Sequence, residues 1–574
     1  MGGWFPARRP GPSPRGELPR LVRGWRFPAP FIFALIFSAL FVLHAPLLRL
    51  PYFWDEAGYY VPAARDLLLT GSLIPHSTVT DAHPPLALAW MALWWKLSGY
   101  TPAVTRTAML LVASFGLLAV FRLARTVANL RVAVASTAAT ALYPVFFAQS
   151  SMAHVDLAAA TLLLWAILFH VEHSRKYSLL AFCSAVLAKE TAVIVPVAIA
   201  LWELFWRLRR HAQSRLAPRP VRLAESCFLA LAPTLVLVGW YAYHYARTGY
   251  VFGNPEFFRY NVQATLEPLR IALALVKRLW QLTGYMNLFL LTAAAAMAMS
   301  FPAQMDHDDI PRERIDPPLQ ALFAVVIGAQ VAFYSLVGGA PLARYLLTSL
   351  PLVVILCVST IWRRMRQWPI VIGIVCAGFV LAWFVNPPYP FTLEDNLAYR
   401  DFVLLHRRAA ALIATHHAQE RVLTAWPATD ELSRPYLGYT RVAVPVVPIE
   451  NFSAEQLAVA ARDSSQFDLT LVFSTEYAPQ HALFRGWDAW QRWQQHFFGS
   501  HQDLPPELAA QVLGGRIIFR ESRNGQWIAL IALEREENAS LCFTRIGPQR
   551  PASDQRKIEG EKSCGEQPYD ESAP

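Results

Sequence analysis

The chain has 574 residues, 55% of them hydrophobic and only 16% charged, with a net charge of +10 and a mean hydropathy of +0.29. Soluble chains carry roughly a quarter charged residues, so the composition excludes an ordinary soluble globular protein. The positive excess gathers between apolar segments, which reads as a topology signal and excludes a nucleic-acid partner.

Residues 1–30 are rich in Arg and Pro and read as a cytoplasmic basic N-terminus. The apolar run that follows is too long for a signal-peptide core, so it is expected to be a retained span. Spans need about 20 apolar residues; the candidates are 31–49, 104–122, 131–149, 156–172, 226–246, 284–301, 318–337, 344–362 and 368–385. The stretch 177–206 is read as two further helices meeting at the polar AKET of 188–191. Basic clusters at 122–131, 173–176, 206–222, 312–316 and 363–367 are assigned to the cytoplasm, giving eleven spans with the N-terminus in and the C-terminus out. PLALAWMALWWKL (85–97) fits no crossing and is expected to be interfacial or re-entrant.

Residues 50–103 therefore form one long outer loop of juxtamembrane helices. Tyr60, Ala63, Ala64, Leu67 and Leu68 recur at helical spacing, a pattern suited to lying on the membrane. The predicted membrane domain covers 31–386. Beyond it, 421–427, 441–449, 467–477, 516–522 and 526–534 read as strands with helical patterns such as 454–463 between them, an outer α/β soluble domain over 387–546. Residues 547–574 are polar and expected to be disordered. Cys542 and Cys564 could pair if that end lies outside the cytoplasm.

Polar groups recur where this topology brings chain segments to one membrane depth. The first loop opens with FWDEAGYY, placing Asp55 and Glu56 at a helix end where water can keep both ionised. His83 lies in DAHPPL, Asp156 in SSMAHVDL, Lys189 in AKET, and Arg344 and Tyr345 in GGAPLARYLL. His154 reads as a loop histidine and Arg247 as a lipid-headgroup anchor. Ionisable residues inside an apolar run, as Lys189 is, are expensive and usually functional. A carboxylate can take a proton from an attacking hydroxyl, and cations can stabilise charge on a departing phosphate. Together they describe sugar transfer from a lipid-phosphate carrier.

In the order and spacing of FWDEAGYY, HPPL, HVDL, KET and ARYLL, the chain resembles the C superfamily of membrane glycosyltransferases, over about residues 25–385. Within it the protein O-mannosyltransferase-like enzymes and the lipid A aminoarabinose transferases are the most similar. The resemblance implies Asp55 as general base with Glu56 its neighbour, and Asp156 as a second acid that orients the acceptor or assists Asp55. It implies Lys189, Arg344 and Tyr345 as donor-phosphate contacts. His83 stands where the aminoarabinose transferases have Lys in a Lys-Pro-Pro motif, which leaves it a weaker phosphate or acceptor contact. Single displacement with inversion is implied, with a dolichyl- or undecaprenyl-phosphate sugar as donor and a glycan, lipid or protein hydroxyl as acceptor, at the outer face of the cell (inner) membrane. No metal or other cofactor is expected, because the first loop holds no tight pair of acids spaced by one residue. The alternative is a lipid or glycan transporter or flippase. No internal duplication of the transporter kind is visible. A membrane anchor for a sensory domain, a third reading, would need neither a second acid nor an ionisable break.

Overall fold

The computed structural model describes residues 28–534, apart from 214–219, 256–257, 260–261, 263–264, 307–308, 480–485 and 500–502. The N-terminal basic segment up to residue 27, the expected tail, and Cys542 with Cys564 lie outside the described residues. Helix α1 (Ala29–His44) is extended by one tight turn to Leu47. After a loop come α2 (Val61–Thr70), α3 (Leu86–Ser98), α4 (Pro102–Val127), α5 (Leu130–Leu142), α6 (Pro144–Gln149), α7 (Val155–Val171) and α8 (Arg175–Ala188). Next are α9 (Ile194–Gln213), α10 (Pro220–Thr248), α11 (Pro268–Thr283), α12 (Phe289–Ala298), α13 (Pro317–Leu336), α14 (Ser349–Arg364) and α15 (Trp368–Phe384). Among the described residues, three helices are long and apolar enough to cross a membrane: Ala29–Leu47, Pro102–Val127 and Pro317–Leu336.

Local chemistry sets the breaks. The Thr101 hydroxyl accepts from the Val104 N–H and starts α4, and the Asn129 side chain accepts from the Val132 N–H and starts α5. The span expected over 131–149 is two helices, because Pro144 holds Tyr143 in extended backbone (ψ 128°) and supplies no N–H. The span expected from 284 becomes regular only at Phe289, since Met286 and Asn287 take left-handed φ of 47° and 65°. The span expected from 344 starts at Ser349; residues Ala343–Leu346 form a separate 3-10 turn. The 177–206 stretch does divide at Lys189, where a 3-10 turn over Glu190–Val193 separates α8 from α9.

The apolar face of α2 is corrected by the structure. Ala63 and Ala64 are buried within the protein, and α2 packs on α3, so protein rather than lipid covers that face.

Beyond α15, α16 (Ala398–His416) leads into a five-stranded mixed sheet: β1 (Val422–Ala425), β2 (Val446–Ile449), β3 (Leu469–Phe473), β4 (Gly515–Arg523) and β5 (Gln526–Leu533). The order is β2-β1-β3-β5-β4, parallel across the first three and antiparallel across the last two pairings. Short helices α17 (Ala428–Ser433), α18 (Ala454–Arg462), α19 (Asp488–Phe498) and α20 (Pro506–Leu513) connect the strands. This part is not set apart: one hydrophobic core runs from Leu40 through the helices to Ile531. At the junction Phe53 meets Phe402 edge-on at 5.3 Å, and Trp54 meets Trp426 at 5.2 Å.

Candidate active site

The site begins with a loop held under backbone strain. Trp54, the residue before Asp55, takes φ of 46°, and Ala82, the residue before His83, takes 59°. Such conformations cost about 1–3 kcal/mol in a non-glycine residue and persist only where the surroundings enforce them. For Trp54 the enforcement is its packing on Phe53, Phe402 and Trp426. A single π-helical turn over Glu56–Tyr60 follows, a wide turn common at functional sites.

Glu56 does not stand in water beside Asp55, as the sequence led us to expect. Its side chain is 0% exposed and pairs with Arg106 of α4, also 0% exposed, at 3.3 Å. Its carboxylate also accepts from the Phe53 N–H (2.8 Å) and the Ala153 N–H (2.7 Å). Arg106 donates in addition to the carbonyls of Leu50, Pro51 and Ser151. The pair thus ties the Asp55 loop to the Asp156 loop. The Glu56 oxygens are already engaged by protein groups.

Asp55 retains 18% side-chain exposure and is ion-paired with Arg344. Arg344 is the hub. Its guanidinium also pairs with Glu394, faces Asp156 Oδ2 at 3.3 Å through Nε, and lies 3.4 Å from His154 Nδ1. Asp156, in the first turn of α7, accepts from Lys189 Nζ at 2.5 Å. Lys189 sits 4.3 Å above the Tyr345 ring. The 3-10 turn at 343–346 explains how neighbours serve two places: successive residues diverge by about 120° around it, so Arg344 reaches the carboxylates while Tyr345 covers Lys189. Asp156, Lys189, Thr191, Tyr334, Arg344 and Tyr345 line one cleft.

His83 joins at the edge. Its Nδ1 is 2.7 Å from Glu190, the residue after Lys189, and its Nε2 is 3.8 Å from Asp81. Burial lowers its pKa, but the Asp81 and Glu190 carboxylates outweigh burial and push it up to about 9. His83 is therefore cationic at neutral pH, its charge partly neutralised by the two carboxylates.

The structure brings Asp55, Asp156, Lys189, Arg344 and Tyr345 into one network, with His83 beside it and Glu56 behind it. Sequence reasoning missed Glu394 and Arg106, and set His154 aside. His154 is buried in the network, its Nδ1 2.7 Å from Gln149 Oε1. Two signals were available. Arg106 is a lone ionisable residue near the start of an apolar run, the rule already applied to Lys189. Glu394 and Asp395 are adjacent acids just past the last apolar helix, as Asp55 and Glu56 are past the first.

Asp55, His154 and Glu394 offer ligand atoms within 4.8 Å of one another, a set that could hold a metal ion. The fit is poor, because the Arg344 guanidinium contacts both carboxylates and stands beside the imidazole. A divalent cation would have to displace it.

Residues 82–240 match the family model described as dolichyl-phosphate-mannose-protein mannosyltransferase. No curated protein matches the chain by sequence. Among solved structures, ArnT from Cupriavidus metallidurans bound to undecaprenyl phosphate is 13% identical and covers 87% of this chain and 97% of that one, with a TM-score of 0.50. The chain resembles the C-superfamily membrane glycosyltransferases. The same ArnT in its apo state gives a TM-score of 0.48 at 13% identity, covering 88% of this chain and 98% of that one. An oligosaccharyltransferase from Archaeoglobus fulgidus, AglB in complex with an inhibitory peptide and a dolichol-phosphate, gives 0.43 at 12% identity, covering 87% and 73%. The family model takes in His83, Asp156 and Lys189; Asp55, Arg344 and Glu394 lie outside the matched residues and are joined to them by the Arg344 ion pairs.

Proposed function

We propose that the protein is an integral-membrane glycosyltransferase that moves a sugar from a polyprenyl-phosphate carrier to an acceptor hydroxyl at the outer face of the membrane. The observation that carries this reading is the junction of a partly exposed carboxylate, Asp55, with Arg344 beside Asp156 and Lys189 in one cleft. Asp55 takes the proton of the acceptor hydroxyl as that oxygen bonds to the anomeric carbon. The bond from that carbon to the phosphate oxygen breaks, and its electron pair leaves with the phosphate. Arg344 and Lys189 stabilise the charge that develops there, with Tyr345 and His83 as further phosphate contacts. One displacement inverts the anomeric configuration and needs no covalent nucleophile.

In the geometry described, Arg344 engages Asp55. An arriving phosphate offers the guanidinium a competing anion, and its departure toward that anion frees Asp55 to act as base. Asp156 holds Lys189 and Arg344 in place. Glu56 is a positioning residue, acting through Arg106 on the loop that carries Asp55. We propose no metal in the reaction: activity should survive excess chelator, and abolition by chelator with rescue by a divalent ion would overturn that point.

The decisive variant is Asp55→Asn. It should lower kcat by about 10²–10⁴, the usual contribution of a general base, while polyprenyl-phosphate sugar still binds at least as tightly. A flippase would keep its transport rate in the same variant, measured in vesicles with labelled carrier.

A further inference from the structure

A second concentration of charge lies away from the cleft. Where the chain leaves α1, Arg49 and Leu50 form one wall of a groove; α16 forms the other with Arg400, Leu404 and Arg407, and Arg523 of β4 closes it. On α16 these three residues recur at four and three positions, so they share one helix face. The groove encloses about 340 Å³, within the roughly 300–1,000 Å³ typical of small-ligand sites.

Its charge is not cancelled internally. Asp401 is the acid at hand; it is 3.1 Å from Arg400 and 3.4 Å from Arg523, and also accepts from Asn524 at 2.6 Å. Glu521 is engaged by Arg408. Arg49 and Arg407 are exposed and make no ion pair among the described residues. Four arginines against one shared carboxylate leave a strong surplus of guanidinium donors. Guanidinium forks suit the paired oxygens of a phosphate.

Position decides between anions. Within the two helical turns before Arg49, α1 exposes Phe41 (37%), Val42 (70%) and Leu43 (45%), an apolar face in the helix that is long enough to span a membrane. Leu50 and Leu404 add apolar surface to the groove lining. Acyl chains along α1 would leave a headgroup at the height of the arginines, where basic groups attract an anionic lipid.

We propose that this groove, separate from the sugar-transfer cleft, binds the phosphate headgroup of an anionic membrane lipid. The test uses the full chain in phosphatidylcholine nanodiscs with and without phosphatidylglycerol, and reads melting temperature and, by native mass spectrometry, the anionic lipids retained. Phosphatidylglycerol should raise the melting temperature and be retained after delipidation. The double variant Arg49→Gln with Arg407→Gln should lose both effects while melting like the wild type in phosphatidylcholine alone. If it melts lower there, lipid retention at a temperature where both proteins are folded becomes the readout. Equal retention and equal stabilisation in wild type and variant overturn the site, as does the absence of any effect in the wild type. Stabilisation by soluble glycerol phosphate equal to that by phosphatidylglycerol overturns the lipid as the ligand. None of these readouts depends on glycosyl transfer.

Discussion

One guanidinium serves three carboxylates at the centre of this molecule, and the least expected of them is Glu394. Burial pushes its carboxyl up to about 8; Arg344 opposes the rise, while Asp395, Asp55 and Asp156 add to it. Because the folded value lies above the ordinary Glu value of 4.5, the stability it contributes is complete below that value and is lost as pH rises toward about 8. Melting curves across the range should therefore show the wild type losing ground to Glu394→Gln as pH rises, with the difference constant above about 8; parallel curves would refute this. Behind the site, Glu56 and Arg106 make a different prediction. Arg106→Met should destabilise the protein by about 3–5 kcal/mol, since it strands a buried carboxylate. The double variant Glu56→Leu with Arg106→Met should recover part of that loss in denaturant titrations. The acids at 55, 156 and the base at 189 were legible in the sequence because each interrupts or borders an apolar run. The partnership of Glu56 with Arg106 was not, since pairing across fifty residues leaves no local signature.

At the scale of elements, the loop that presents Asp55 is shaped by contacts with segments remote in sequence. Gly58 lies in the π-helical turn, and a Cβ there would come within 2.5 Å of the Trp426 indole nitrogen. Gly58→Ala should thus cost about 1–3 kcal/mol by overpacking, and the same change should cost less when made in a Trp426→Leu background. Thermal melts of the two variants check this; a neutral Gly58→Ala would show that the indole yields freely. The five strands were legible as alternating or continuous apolar runs bounded by turn residues, and the break at Lys189 as a polar interruption. The start of α14 was not: Arg344 and Tyr345 head an apolar run whose composition is helical throughout. Only the carboxylates that draw Arg344 aside explain why a separate turn precedes Ser349. The face of α2 was misjudged for a related reason, because an amphipathic pattern records that something apolar covers a helix, not whether it is lipid or protein.

For the whole molecule, the shared core makes the last third of the described chain part of the transferase machinery under this reading. Deleting residues from 387 onward removes Glu394, Phe402 and Trp426 together. We expect such a truncation to lose sugar transfer even where it still inserts into the membrane, measured on purified protein with a polyprenyl-phosphate sugar; full activity would sever the two halves functionally. Composition and hydropathy located the membrane part and the strands, but not their union, since the aromatic residues at the junction look in sequence like ordinary interface anchors.

The strand order also has a consequence for biogenesis. β5, the last of the described strands to be synthesised, is inserted between β3 and β4 and is the neighbour that joins them. Until the ribosome has released residues 526–533, β4 has no partner and the scaffold behind Trp426 is unfinished. A nascent chain can thread its early helices into the bilayer while its first loop still waits for support. Under the proposed function, competence for sugar transfer is expected only after insertion, and stop codons placed shortly before residue 526 should yield a membrane-embedded but inert polypeptide.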